Sequence, residues 1–242
     1  MNYPFSYRIF PLGDSALTLD FGNSITESVN KEVLSLFHNL QQQPFAGMIE
    51  LVPAYSSLTI YYDVIALRQI IQKDISAYEW MKKKLEVFLA NSTNENENTR
   101  QQIRIPVCYD EEFGHDLISI SEKINLSKEE IIQLHTGKPY RVFMLGFLPG
   151  FPYMGKTDKK IAVARKDEPS MVMAGSVGIA GRQTGIYPMN SPGGWQIIGR
   201  TALKLFDVEK KDPTLLKPGD LVEFYSVSKE EYLEQAYESQ NN

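Results

Sequence analysis

The spacing of apolar positions changes along this 242-residue chain. Residues 7–10 and 16–21 are short β-prone runs, and the turn-forming Pro11-Leu12-Gly13-Asp14 between them predicts a hairpin or two neighbouring strands. Ile25, Val29, Val33, Leu36, Phe37 and Leu40 then recur at three- and four-residue spacings. They predict a helix over 25–42, with Ser24 as its N-cap and Pro44 beyond its end. Residues 48–52 and 57–62 read as strands interrupted by Pro53. From 64 to 90 the helical period returns, as one bent helix or two. Trp80, Leu85, Phe88 and Leu89 form its apolar side, and Lys82, Lys83 and Lys84 a solvated face. The order β-β-α-β-β-α predicts a small α+β domain with helices on one side of a sheet. Residues 91–102, NSTNENENTRQQ, have no period and nothing to bury, so they read as a linker between domains at 1–90 and 103–242.

Beyond the linker, residues 103–109 form a strand whose Pro106 predicts an edge or strand-start position. Residues 116–124 have helical spacing. Ser127-Lys128-Glu129-Glu130 matches a capping box that opens a helix running to His135 or Thr136, with Gly137 stopping it. Residues 140–145 are strongly β-prone, and two prolines and three glycines in 146–155 argue against regular structure there. In 171–206, glycines stand at 175, 178, 181, 185, 193, 194 and 199. Each would cost a helix on the order of 1 kcal/mol, so short strands joined by constrained turns are predicted. That stretch is either a ligand-facing surface or a plain barrel wall. A strand at 221–227 and a helix at 229–238 complete a domain predicted to be a β-barrel or sandwich.

Composition narrows the function classes. An apolar fraction of 43% and a charged fraction of 23% predict a soluble globular protein. A net charge of -5 argues against a nucleic-acid or anionic-membrane partner. No apolar run is long enough to span a bilayer, and MNYPFSYRIF has no signal-peptide pattern. The single cysteine, Cys108, excludes an intrachain disulfide and fits a cytoplasmic location. One cysteine and three dispersed histidines give no zinc spacing, so no metal site is expected.

No phosphate loop of the G-x-x-x-x-G-K-[ST] type is present. The run from Gly175 to Gly181 lacks both the lysine and a following helix, and no G-x-S-x-G elbow occurs. His135, at a predicted helix C-terminus, is placed where the dipole favours a proton on the ring, as a cap or as a substrate contact. Arg182, Gln183 and Thr184 offer donors for an anion or an amide oxygen, or merely form a surface turn. Trp195 is either core or ligand platform. Gln196 alternates away from it, so at most one of the two faces a given pocket. Arg200 shares the face of Ile198; if that face is interior, it needs Asp207, Asp220 or a partner's carboxylate.

Several segments together carry a family resemblance. They are Gly13-Asp14-Ser15-Ala16-Leu17, the stretch 52–58 (VPAYSSL), 105–109 (IPVCY), His135-Thr136, 144–155 (MLGFLPGFPYMG), 174–201 and 216–220 (LKPGD). On these the chain resembles the B subunit of the bacterial ATP-dependent 5-oxoprolinase, a family also described as allophanate hydrolase subunit 1 and as the kinase A inhibitor of sporulating bacilli. The resemblance implies an α+β protein: a small, ferredoxin-like N-terminal domain followed by a cyclophilin-like β-barrel. It implies opening of 5-oxo-L-proline to L-glutamate at the expense of ATP. The C subunit is the implied direct pair, and the A subunit the one that completes the enzyme. Related domains occur in urea carboxylases, so a shared carbonyl-binding surface is expected. Without a nucleotide motif here, ATP is expected to be bound mainly by a partner or at a shared interface. The candidate catalytic residues are His135, Arg182 and Gln183. The candidate substrate-binding residues are Phe151, Tyr153, Thr184, Tyr187, Ser191, Trp195, Gln196 and Arg200. Two positions depart from the family pattern: Met173 replaces a usual proline, and Arg182 a small or polar residue. The alternatives are a regulatory protein that inhibits a sensor histidine kinase, and a subunit of urea or allophanate metabolism.

Overall fold

Two strand-rich regions account for most of the ordered backbone. The computed structural model describes residues 4–91 and 101–241, and the chain divides into two units, Met1–Thr99 and Arg100–Asn242.

In the N-terminal unit, strands β1 (Arg8–Pro11), β2 (Ala16–Asp20), β3 (Met48–Pro53) and β4 (Ser57–Tyr62) form an antiparallel sheet in the order β1-β2-β4-β3. Helices α1 (Glu27–Gln42), α2 (Val64–Ile70) and α3 (Ala77–Asn91) complete it. Leu17, Leu19, Leu58 and Ile60 from the sheet share one core with Val33, Leu36 and Leu40 of α1 and with Met81, Leu85 and Leu89 of α3. The order begins with two strands, whereas a ferredoxin-like unit begins with a strand and a helix, so the α+β class holds without that finer label.

The N-cap of α1 is Thr26, whose side chain accepts from the Val29 N–H, and not Ser24. The segment 64–90 is two helices, because a second start signal lies inside it. Ser76 and Glu79 exchange backbone-to-side-chain bonds at 2.9 and 3.1 Å, a reciprocal cap that opens α3. The outer residues of the expected linker belong to flanking elements, since α3 includes Asn91 and the next strand starts at Gln102; residues 92–100 lie outside the described part. Among the described residues no helix is long and apolar enough to cross a membrane.

The C-terminal unit comprises β5 (Gln102–Cys108), α4 (Leu117–Ile124), α5 (Lys128–Thr136), β6 (Tyr140–Leu145), β7 (Pro152–Gly155), β8 (Ser170–Val172), β9 (Ser176–Ala180), β10 (Gln183–Ile186), β11 (Ser191–Gly193), β12 (Gln196–Arg200), β13 (Leu221–Val227) and α6 (Lys229–Asn241). Seven strands close a barrel in the order β10-β7-β6-β13-β5-β12-β9, and β8 pairs with β11 outside it. This closed barrel is consistent with the cyclophilin-like expectation. Ile105, Val107, Val142, Met154, Val177, Ile179 and Ile198 form its core with Leu117 and Ile120 of α4 and Ile131 of α5.

Two prolines sit differently from expectation. Pro106 is not at an edge: β5 runs parallel to β13 along its length and meets β12 at Cys108. Contact with β12 is limited to that one position, so a residue lacking an N–H has few ladder bonds to break on that side. Residues 152–155 are regular after all, because Pro152 begins β7 and the strand pairs with β6 and β10. The capping box of α5 is present in both directions between Ser127 and Glu130.

Candidate functional site

His135 lies in the last turn of α5, and its ring is fully buried in the barrel core. Its Nδ1 is 2.8 Å from the Tyr109 hydroxyl and its Nε2 2.9 Å from Thr184 Oγ1. The Thr184 hydroxyl donates to the Gly178 carbonyl at 3.1 Å. Its one proton is therefore used, so Nε2–H donates to Thr184 and Nδ1 accepts from Tyr109. The rings of Phe224 and Tyr140 stack on the imidazole at 4.6 and 5.4 Å. Burial holds its pKa at about 3, opposite to the protonation expected from the helix end. Desolvation outweighs the dipole because the ring is fully buried. His135 and Thr184 thus meet as expected, but in a sealed neutral network with no surface toward a substrate.

The outward side of the same strands is different. Phe151, Tyr187 and Trp195 form a second apolar cluster, with Tyr153 and Leu148 against it. Phe151 is its hub, edge-to-face with Tyr153, Tyr187 and Trp195 at 4.9, 5.1 and 5.4 Å. Glycines make this packing possible. A Cβ on Gly185 would lie 2.8 Å from Phe151 Cζ, one on Gly178 would lie 3.1 Å from Trp195 Cβ, and one on Gly193 would overlap the Tyr187 ring. Phe147 forms the solvent-facing lip: it is 61% exposed, has a φ of 69°, and meets Phe151 edge-to-face at 5.7 Å. Burial raises the phenol pKa values of Tyr153 and Tyr187, and the nearby Arg165 charge partly offsets this.

Arg165 was not among the sequence candidates. Its guanidinium carbon sits 5.9 Å from the centre of the Trp195 ring, within cation–π range. Its backbone is pinned on both sides. The Gln196 side chain donates to the Ala164 carbonyl at 3.1 Å, and the Lys166 N–H donates to the Gly194 carbonyl at 2.8 Å. The Lys166 ammonium pairs with Asp116 at 2.7 Å, and Asp116 also accepts from the Ile197 N–H. Gln196 and Trp195 therefore both engage the segment Ala164-Arg165, contrary to the alternation argument, because Trp195 precedes β12. Nothing in the run Ala164-Arg165-Lys166-Asp167-Glu168 distinguishes Arg165 from a solvated charge; only the fold brings it to the rings.

The other candidates are dispersed. Gln183 is half-buried on β10 opposite Gly155, and so shares the outward face of β7 with Tyr153. Arg182 is exposed at the preceding turn and reaches the Thr157 carbonyl at 3.4 Å. Ser191 is buried on β11, outside the barrel, its hydroxyl 3.3 Å from the Pro192 carbonyl. Arg200 needs no carboxylate: it is half-buried and donates to the Ala174 carbonyl at 2.8 Å. Asp207 instead pairs with Lys204, and Asp220 accepts from the Lys217 N–H. Among the described residues no group of three or more His, Cys, Asp or Glu is placed to hold a metal ion. The glycine run 175–181 is largely strand β9, so it offers no helix N-terminus to a phosphate.

Known proteins share this arrangement of barrel and motifs. The family profile described as carboxyltransferase domain, subdomain C and D, matches residues 7–216. The 5-oxoprolinase B subunit of Bacillus subtilis (strain 168) is 45% identical over 238 residues, covering 98% of this chain and 98% of that protein. The chain belongs to the family of 5-oxoprolinase B subunits. Family likeness extends to much larger proteins. A urea amidolyase of Lachancea kluyveri is 29% identical over 245 residues, covering 90% of this chain but 13% of that protein. The crystal structure of the K. lactis urea amidolyase superposes with a TM-score of 0.78 over 100% of this chain and 16% of that one. At 18% identity it shares the fold.

Proposed function

We propose that this chain is the B component of a cytoplasmic, ATP-dependent 5-oxoprolinase that opens 5-oxo-L-proline to L-glutamate, paired with a C component and completed by an A component. The observation that carries this reading is the end-to-end match, at 45% identity, to the B subunit of a 5-oxoprolinase. The site supports a non-autonomous role. The imidazole that would be the natural general base is sealed in the core, while the second cluster, itself buried at Phe151, Tyr187 and Trp195, reaches solvent through Phe147, Tyr153 and Arg165.

An amide nitrogen is a poor leaving group. Phosphorylation of the lactam oxygen at the expense of ATP makes the carbonyl carbon open to water. This chain's part is to hold the ring against Tyr153, exclude water there, and offer the Gln183 amide and the Arg182 guanidinium to the developing oxyanion. The phosphates fall to a partner or to an interface shared with one.

The test is co-expression with the A and C subunits of a 5-oxoprolinase. Co-purification and ATP-dependent release of glutamate from 5-oxoproline that stops when this chain is omitted is the expected result. Glutamate release undiminished by its omission, together with inhibition of a purified sensor histidine kinase by this chain alone, would make it a regulatory binding protein instead. An ATP-dependent release of ammonia from urea or allophanate would move it to urea metabolism.

A further inference from the structure

Three other cations of the C-terminal unit have protein partners. Lys166 has Asp116, Arg182 has the Thr157 carbonyl and Arg200 the Ala174 carbonyl. Arg165 is flanked by pinned backbone, laid over the Trp195 ring, and paired with no carboxylate among the described residues, although Asp167 and Glu168 follow it closely in sequence. A guanidinium restrained by an aromatic face keeps its outward N–H groups directed to solvent, ready for a bidentate carboxylate. The half-buried Tyr153 ring packs edge-to-face on the same Trp195 ring at 5.9 Å, and so offers a flat apolar side next to the guanidinium, over the buried indole.

We propose that Arg165 is the specificity-determining residue that binds the carboxylate of the substrate, so that the site selects a cyclic amide bearing an acid group over the same lactam without one. The inference rests on the 5-oxoprolinase reading and adds to it the residue that reads the acid. The carboxylate lies on Arg165 and the five-membered ring against the half-buried Tyr153. The lactam carbonyl is left facing the side completed by the partner proteins. No bond of the substrate is made or broken at Arg165, so its contribution falls on binding.

The experiment uses the assembled complex, with Arg165→Gln and Arg165→Lys compared with the unsubstituted chain. Three readouts are taken: KM and kcat for 5-oxoproline, the inhibition constant of 2-pyrrolidinone, which has the ring but no carboxylate, and recovery of the complex. Losing a charge-assisted bidentate contact should raise KM about 10- to 100-fold in Arg165→Gln. The expected result also leaves kcat within about twofold and the 2-pyrrolidinone constant unchanged, with Arg165→Lys intermediate. An unchanged KM would overturn the proposal. So would an equal rise for both ligands, which marks a structural role, or failure to co-purify, which assigns Arg165 to a partner's carboxylate. Quenching of Trp195 fluorescence in a Trp80→Phe background gives binding without turnover. If 5-oxoproline neither reacts nor quenches with the unsubstituted complex, the 5-oxoprolinase reading itself fails. If it reacts and only the Arg165→Gln behaviour departs from expectation, the failure belongs to Arg165 alone.

Discussion

The two faces of the barrel wall carry the same kinds of residue and put them to opposite uses. On β10, Thr184 points inward to His135, while the next residue, Gly185, lies under the outward Phe151 ring. Inside, each polar atom of the Tyr109–His135–Thr184 chain has a partner, and burial keeps the imidazole neutral. Outside, a ring cluster of similar size ends in the exposed Phe147 and in Arg165, with donors to spare. Saturation marks a network that holds the fold, and residual donor capacity at a rigid surface marks one that binds.

Breaking the inner network should have the largest effect on stability. His135→Ala leaves the Tyr109 and Thr184 hydroxyls short of a partner around a new cavity, and should cost about 3–5 kcal/mol in urea unfolding followed through Trp195. Next is the wall between the two faces. Gly193→Ala drives a methyl into the Tyr187 ring and should cost about 1–3 kcal/mol, with a shift in Trp195 fluorescence that His135 variants retaining the fold do not show.

The pH dependence tests the neutrality of the inner cluster. Below its ordinary pKa of 6.5, His135 takes up a proton in the unfolded chain that it does not take up in the folded chain until about pH 3. Stability is therefore fully present above pH 6.5 and falls by about 1.4 kcal/mol per pH unit across that window. His135→Gln should remove that component of the slope. The smallest effect on stability belongs to the outer lip. Phe147→Ala should change unfolding by less than about 0.5 kcal/mol, yet lower kcat/KM of the assembled complex several-fold. A Phe147→Ala variant with lowered stability and full activity would reverse the assignment of the two faces.

The elements themselves were largely legible in the pattern. The N-terminal domain's strand and helix order, the capping box at Ser127, and the short-strand reading of 171–206 follow from period, caps and turn chemistry, which are local properties, whereas β7 was not legible through its prolines and glycines. The start of α3 was legible too, since Ser76 and Glu79 carry the same signal as Ser127 and Glu130, but the continuous apolar stripe masked it. Large rings among glycines call for burial or a ligand, and four of the candidates, Phe151, Tyr153, Tyr187 and Trp195, do come together, mostly buried. His135 was misread in sign, since a helix-end argument contains no information on desolvation.

What the sequence alone determined is the alternation of short strands, helices and glycine-marked turns, together with the family motifs, because each depends on residues adjacent along the chain. Which face each residue occupies was decided only by closure of the barrel. Closure places His135 and Thr184, 49 positions apart, within 2.9 Å in a dry core. It turns Gly178, Gly185 and Gly193 from expected turn formers into the space that rings occupy. It also brings Arg165 from an unremarkable charged run onto Trp195. Burial and pairing across long sequence separations are properties of the packed chain, and they separate the sealed His135 from the exposed Arg165.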